Sequence, residues 1–152
     1  MSAFPGVCDA LLACLKASAG LSGVGVYDGL QLTYEFSVDG VAVGHDGTVD
    51  DDDVNMGSVT AQYSTLGAKA RLENGTVNCF LWSTDGGTDT TARRTRAFAL
   101  FSAVESAVKS DPTLGGVCLM ATVASADISL RQTTQGVAVL MPFTVTYQAR
   151  VV

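Results

Sequence analysis

The apolar positions of this chain follow a helical spacing in two segments. Near the start, Val7, Leu11 and Leu15 lie on one face at the spacing of an α-helix. They predict a first helix over Phe4–Ala19, with a proline suited to its first turn. Thr90–Ser110 has the clearest helical pattern and predicts a second helix, because its apolar residues again form one continuous face.

Between these two segments the spacing favours β-strands. Short runs rich in β-branched and aromatic residues alternate apolar with polar positions, although the alternation is weak in places. Asp39-Gly40 and Asn74-Gly75 are predicted to be turns, since Asp-Gly and Asn-Gly are dipeptides that tight hairpins favour. The predicted strands are Val24–Tyr27, Leu32–Val38, Val41–Val43, Val59–Tyr63, Ala68–Leu72 and Thr76–Trp82.

The last third of the chain has the longest β pattern. Val117–Leu130 and Val137–Val151 are extended runs joined by Gln132–Gly136, and both exceed the usual strand length of about five or six residues. The second run alternates apolar and polar residues, so one of its faces is expected to be buried. The sequence therefore predicts a single α+β domain over residues 1–152. Its mixed, mainly antiparallel sheet carries two helices packed on it and a long C-terminal β-hairpin.

Composition limits the classes of function. Of 152 residues, 47% are hydrophobic and 16% are charged, which excludes a disordered chain. The formal net charge of −6 argues against binding to nucleic-acid phosphates. No segment has the roughly 18 consecutive apolar residues of a membrane span, so no membrane partner is expected. The N-terminus lacks the pattern of a signal peptide, which predicts a protein made and folded in the cytoplasm of its host.

No set of residues predicts an active site. His45 is the only histidine, and no serine or cysteine nucleophile motif accompanies it. The four cysteines, Cys8, Cys14, Cys79 and Cys118, lack the grouping of a zinc site or a disulfide framework. They are expected to be small buried hydrophobic residues. We therefore predict a non-enzymatic protein without a cofactor or a bound metal.

Four consecutive aspartates, Asp50, Asp51, Asp52 and Asp53, form the one strongly biased segment. Like charges in a row do not pack, so we expect an exposed acidic loop. A divalent cation site is the alternative, but the segment lacks the glycine and the closing glutamate of an EF-hand loop. An acidic patch that docks on a basic partner is favoured over a structured metal site.

Arg93, Arg94 and Arg96 cluster near the start of the second predicted helix, where the helix dipole disfavours positive charge. An exposed helix start is one interpretation of this cluster. The other is pairing with carboxylates of a neighbouring subunit, such as its aspartate segment. Arg131 lies in the long C-terminal hairpin, which is expected to reach a neighbour. These four arginines and Asp50–Asp53 are the candidate interface residues.

One junction in the chain is more specific than the rest. The arginine-rich stretch Ala92–Ala97 belongs to a helix that runs into Asp111–Gly116, with the sequence Asp-Pro-Thr-Leu-Gly-Gly. Val26–Gly29 follows the N-terminal helix, Val77–Trp82 forms a central strand, and Tyr147–Val151 ends the closing strand. Together these features resemble the tail terminator (minor tail or tail completion) family of siphophages, over essentially the whole chain.

The resemblance implies a small α+β domain that forms a hexameric ring. Such a ring caps the finished tail tube, stops its polymerisation and offers a docking surface to the head-tail connector or stopper protein. The expected partners are therefore other copies of the chain, the tail tube protein and the connector, at the head-proximal end of the virion's tail. The alternatives are a neck or head-completion protein, a tail tube subunit, or a small acidic ligand- or calcium-binding module.

Overall fold

The computed structural model describes residues 1–29, 39–48, 53–63, 69–84, 86–134 and 136–152. These residues form two helices and one seven-stranded, mostly antiparallel sheet, which confirms the predicted α+β class. The predicted strand Leu32–Val38 lies outside the described residues. The elements are α1 (Phe4–Ala17), a short 3₁₀ helix (Ala19–Leu21), β1 (Gly25–Asp28), β2 (Asp39–Val43), β3 (Gly57–Tyr63), β4 (Arg71–Thr84), α2 (Thr90–Ser110), β5 (Met120–Ala126), β6 (Ser129–Thr133) and β7 (Gly136–Val151).

Two long strands form the centre of the sheet. β4 and β7 pair in antiparallel fashion along their whole common length, from Arg71 opposite Val151 to Thr84 opposite Ala138. β2 and β3 lie one after the other along the outer side of β4, and β5 and β6 do the same along β7. β1 adds to β2 as a parallel neighbour. The sheet is therefore four strands wide where β3 and β5 flank the central pair.

Two dipeptides that were predicted to be turns lie inside strands. Asn74-Gly75 is in the middle of β4, and Asp39-Gly40 begins β2. In each case the glycine makes room for an aromatic ring on the neighbouring strand. A Cβ atom on Gly75 would lie 2.3 Å from Cε1 of Tyr147, and one on Gly40 would lie 2.1 Å from Cζ2 of Trp82. These glycines serve close packing across the sheet and not chain reversal.

Several element boundaries differ from the sequence-based prediction. The first helix ends at Ala17 and not at Ala19, where a 3₁₀ helix begins. β4 is one strand from Arg71 to Thr84, where two strands, Ala68–Leu72 and Thr76–Trp82, were predicted. The run Val117–Leu130 contains β5 and the start of β6, because the regular strand stops at Ala126, after a bulge in β5, and resumes at Ser129. Long runs of strand-forming residues do not show where a partner strand stops pairing.

Both helices lie on one face of the sheet and cover the main hydrophobic core. The alternation predicted for β7 is confirmed, since its odd-numbered residues from Val137 to Val151 are all buried. Phe98 of α2 is 42% exposed, because the buried face of this helix is formed by other positions. Neither described helix is long and apolar enough to cross a membrane. The helical core residues are Val7, Cys8, Leu11 and Leu15 of α1, and Ala97, Leu100, Val104, Ala107 and Val108 of α2.

A smaller aromatic cluster lies on the opposite face of the sheet. Phe80 and Trp82 of β4 are buried there together with Ala42. Tyr27 stacks on Trp82 with 5.7 Å between ring centroids, and the ring of His45 stacks on Phe80 at 5.6 Å. This cluster holds β1 and the chain after β2 against β4, so the sheet is buried on both sides at this end.

A buried carboxylate joins α1 to the sheet. Glu73 of β4 is fully buried, and its Oε1 atom accepts hydrogen bonds from the Ser2 hydroxyl (2.9 Å), the Ala3 backbone N–H (3.0 Å) and the Tyr147 hydroxyl (2.7 Å). Burial, with the hydrogen bond to Glu73, raises the pKa of Tyr147. The N-cap residue Ala3 has no capping side chain, so the start of α1 is held from outside the helix: Ser2 accepts from the N–H of Phe4 at 3.1 Å, and Glu73 accepts from both Ser2 and Ala3.

Candidate functional site

A groove with a volume of about 730 Å³ lies between α1 and α2. Small side chains such as Ala13, Ala17 and Ala107 line it, and Asp111 is its only charged lining residue. That carboxylate already accepts a hydrogen bond from the backbone N–H of Gly115 at 2.8 Å. Ligand sites combine apolar walls with several polar groups that converge on the ligand. This groove does not have that arrangement.

The described thiols are poor nucleophiles at neutral pH. Burial raises the pKa of Cys8 to about 11 and that of Cys79 to about 12. Burial also raises the pKa values of Cys14 and Cys118. Nucleophilic cysteine needs the thiolate form, which such values suppress. The expectation of buried hydrophobic cysteines is confirmed for Cys8, Cys79 and Cys118, whereas Cys14 is half-buried.

Asp46 accepts hydrogen bonds from residues on both sides of the acidic segment. One carboxylate oxygen accepts from the backbone N–H of Thr48 at 2.9 Å, and the other accepts from the N–H of Asn55 at 3.1 Å. Burial alone would raise the pKa of Asp46, but the hydrogen bonds from Thr48 and Asn55 outweigh it and lower that pKa. Asp53 is exposed, while Asp50–Asp52 lie outside the described residues. Within the described ranges, no three His, Cys, Asp or Glu side chains come close enough to hold a metal ion.

His45 is buried directly beside this segment and is not arranged for catalysis. Its Nδ1 accepts from the N–H of Gly47 at 2.8 Å, and its ring stacks on Phe80. Burial lowers the pKa of His45 from 6.5, and the nearby Asp46 carboxylate opposes that shift only in part. The neutral imidazole is therefore the form that the fold accommodates.

The lowered pKa of His45 predicts a loss of stability in mild acid. The unfolded chain takes up a proton near pH 6.5 while the folded chain resists it, so the free energy of unfolding should fall as the pH drops below about 6.5. Urea unfolding between pH 7.5 and pH 5 measures this loss. A His45→Gln variant should show a flatter profile over the same window. An equal slope in both proteins would mean that another group causes it.

Two arginines of the α2 cluster, Arg93 and Arg96, form ion pairs with Asp39 of the same chain. Nε of Arg96 donates to Asp39 Oδ2 at 3.0 Å, and NH1 of Arg93 lies 3.9 Å from Asp39 Oδ1. The hydroxyl of Ser83 donates to the same carboxylate at 2.6 Å. Asp39 therefore holds the start of α2 against β2 and β4. Arg94 is exposed, and a role of the cluster between subunits stays a prediction.

Removing the carboxylate of Asp39 should destabilise the fold. Arg93, Arg96 and Ser83 would lose a shared acceptor at a site where Asp39 and Arg93 are mostly buried. We expect Asp39→Ala to lower the free energy of unfolding by about 2 kcal/mol. Arg94→Ala, on the exposed side of the same helix turn, should change it by less than about 0.5 kcal/mol. Equal losses in the two variants would contradict the role given to Asp39.

Arg131 is exposed on β6, whose residues pair with the start of β7. The structure therefore places Arg131 in the expected hairpin, at the end of the sheet opposite β3. Asp53 lies just before β3. Those candidate interface residues that the structure describes are thus spread over three separate parts of the surface and do not form one site.

Most of the exposed apolar side chains lie along the two lateral edges of the sheet. On one side they lie on β3 or just before it, and on the other side on β5, β6 or just before these strands. Their positions were not singled out from the sequence, because short strand-like runs look alike whether they are covered or open. The exposed residues are Met56, Val59 and Tyr63 on the first side and Val117, Leu119, Met120, Ile128 and Leu130 on the second.

The turn between α2 and β5 holds β5 in place at one of these two edges. Asp111 bonds through its two oxygens to the hydroxyl of Thr113 and the N–H of Gly115, and this closes the turn after α2. Leu114 is buried with a positive φ of 50°, so the turn directs an apolar side chain inward. The carbonyl of Pro112 accepts from the N–H of Ala121 at 2.7 Å. The Asp-Pro-Thr-Leu-Gly-Gly sequence therefore positions β5 beside α2.

No model of a protein family matches the chain, and none of the curated proteins is significantly similar to it.

Proposed function

We propose that this protein is a phage tail terminator, which forms a closed ring on the end of the tail tube and stops its growth. One observation carries the proposal: exposed apolar side chains lie along both lateral edges of one sheet. Two non-equivalent contact surfaces produce head-to-tail association, which closes into a ring when the rotation between subunits permits it. A pocket-based activity has no comparable support among the described residues.

The resemblance of the α2–β5 junction supports the same proposal. Asp111–Gly116 forms a specific turn that holds β5 in place, so the motif that resembles the terminator family lies next to one of the two apolar sides. The acidic segment fits a surface that selects a basic partner or repels a further tube subunit. The ring would then cover the open strand edges at the end of the tube.

The test is an assay of tube growth with the cognate tail tube subunits. Adding this protein during polymerisation should shorten the tubes and place additional density at one end in negative-stain images. Light scattering should give about 94 kDa for the ring, six times the chain mass of 15.7 kDa. An unrelated acidic protein of similar size is the control. Unchanged tubes with bare ends would refute the proposal, and long tubes formed by this chain alone would identify it as a tube subunit.

A further inference from the structure

The outer edge of β3 has no strand beside it. Among the described residues β3 pairs only with β4, from Gly57 opposite Val77 to Tyr63 opposite Arg71. Such an edge presents backbone N–H and C=O groups on which another strand can build, and soluble proteins usually protect it with charged residues, a proline or a β-bulge. β3 has the sequence Gly-Ser-Val-Thr-Ala-Gln-Tyr and a continuous register, so it has none of these protections.

The edge of β5, on the other side of the sheet, is protected. β5 contains a bulge between Val123 and Ser125, and the N–H of Ala121 already donates to the carbonyl of Pro112 at 2.7 Å. A bulge and an occupied donor both prevent regular pairing along an edge. β5 of another copy is therefore not a suitable partner for β3.

The ladder with β4 decides which backbone groups of β3 point outward. The N–H of Asn78 in β4 donates to the carbonyl of Met56 at 2.9 Å, so the even-numbered residues of this stretch bond to β4. Backbone groups alternate in direction along an antiparallel strand, and those of the odd-numbered residues therefore point away from β4. The N–H of Gly57 already donates to Oδ1 of Asn55 at 2.9 Å. The residues whose outward N–H and C=O groups are both open are Val59, Ala61 and Tyr63.

These three residues are symmetrical about Ala61, so the open part of the edge is complementary to itself. An antiparallel second copy of β3 centred there pairs Val59 with the partner's Tyr63, Ala61 with the partner's Ala61, and Tyr63 with the partner's Val59. Each pair exchanges two N–H···O=C bonds, which satisfies the open groups of these residues in both strands. The N–H of Gly57 is not required for this pairing.

The side chains of the same residues fit this arrangement. Ala61 is opposite the buried Glu73, so the odd-numbered positions of β3 face the helical side of the sheet. The helices leave them uncovered, since Val59 is 44% exposed and Tyr63 is 66% exposed. In the paired strands Val59 lies directly beside the partner's Tyr63, and a β-branched residue next to an aromatic one favours cross-strand pairing.

We propose that two copies of the free chain pair through β3, across a two-fold axis at Ala61, and form one continuous sheet. Each copy has a formal net charge of −6, so a contact between copies has to avoid acidic side chains, and β3 has no charged residue. The dimer goes beyond the terminator function and does not rest on it. Because β3 can pair with only one strand at its outer edge, the dimer has to open before β3 takes part in a ring.

Substitutions at the axis test this pairing, because only there does a residue meet its own copy. Ala61 is exposed in the single chain, so Ala61→Lys and Ala61→Glu should leave the fold intact, as circular dichroism would verify. The unchanged chain should give about 31 kDa in sedimentation equilibrium, twice the chain mass of 15.7 kDa. Each variant places two like charges against each other and should dimerise about 100-fold more weakly. Ala99→Lys is the matched control, because Ala99 is exposed on α2, outside the proposed contact.

An equimolar mixture of the two variants distinguishes a two-fold contact from a head-to-tail one. The lysine and glutamate side chains then face each other at the axis, so dimers should return, whereas in a head-to-tail contact position 61 meets a different residue. Hydrogen exchange at the N–H groups of Val59, Ala61 and Tyr63 should also slow by about tenfold or more as the unchanged chain is concentrated. The pairing would be overturned by an unchanged chain that stays monomeric up to about 1 mM, by single variants that associate as strongly as the unchanged chain, or by a mixture that stays monomeric.

Discussion

Replacing Glu73 by leucine should lower the free energy of unfolding by about 3 kcal/mol or more. Leucine has a similar size but no acceptor, so Ser2, Ala3 and Tyr147 would all lose the oxygen to which they donate. The Tyr147 hydroxyl would lose its hydrogen bond to Glu73 while it stays buried, and a loss of this kind costs about 1–3 kcal/mol by itself. The start of α1 would also lose its only described contact with a carboxylate.

Glutamine at the same position is the matched control. All three donors use Oε1 of Glu73, and Oε2 is buried without a partner among the described residues. Glu73→Gln keeps the oxygen that accepts these bonds and should cost only about 1 kcal/mol. Urea unfolding would give both values, and hydrogen exchange in the first turn of α1 should accelerate in the leucine variant alone. Equal destabilisation by both substitutions would mean that Oε1 does not hold the helix.

Losing the hydrogen bonds of Glu73 should also affect β3, whose exposed apolar side chains belong to the proposed contact between subunits. Glu73 is opposite Ala61 of β3, so the strand that bonds to the start of α1 also pairs with β3. A helix end that separates from β4 would release the part of the sheet on which Val59 and Tyr63 are presented. We therefore expect Glu73→Leu to weaken self-association as well, whereas Glu73→Gln should not.

Where local pattern and tertiary environment agree, the sequence was sufficient to predict the element. α2 spans Thr90–Ser110 as predicted, because its helical spacing is long and Asp89 accepts from the N–H of Ala92 as a helix cap. The strict alternation of β7 likewise matches a sheet with one buried face. These features depend on neighbouring residues in the chain, and a single sequence records them directly.

The features that the sequence did not reveal depend on partners far along the chain. Asp39 was assigned to a turn, yet it accepts hydrogen bonds from Ser83 and Arg96, which are 44 and 57 residues away. Glu73 was not singled out, although it contacts Ser2 and Tyr147 at separations of 71 and 74 residues. No local periodicity marks such pairs. The exposed side chains of β3 were missed for the related reason that coverage depends on where the helices lie.

Replacing Gly75 by alanine should lower the free energy of unfolding by about 3 kcal/mol. The sequence-based prediction of a turn at Asn74-Gly75 implied a smaller cost. The added Cβ would lie 2.3 Å from two ring atoms of Tyr147 and 2.4 Å from its hydroxyl oxygen. Either β4 or the ring must move, because real contacts of a Cβ atom do not come so close. If the ring moves, its hydrogen bond to Glu73 is lost as well.

A double-mutant cycle distinguishes this steric cause from a general intolerance of β4. Tyr147→Ala removes the ring, so Gly75→Ala made in that background should cost less than about 1 kcal/mol, because the new methyl group then has space. Thermal or urea unfolding of the four proteins gives the coupling energy. A cost of Gly75→Ala that is the same with and without the ring would show that the glycine is needed for its backbone conformation. Its location inside the regular ladder between β3 and β7 makes the steric cause the expected one.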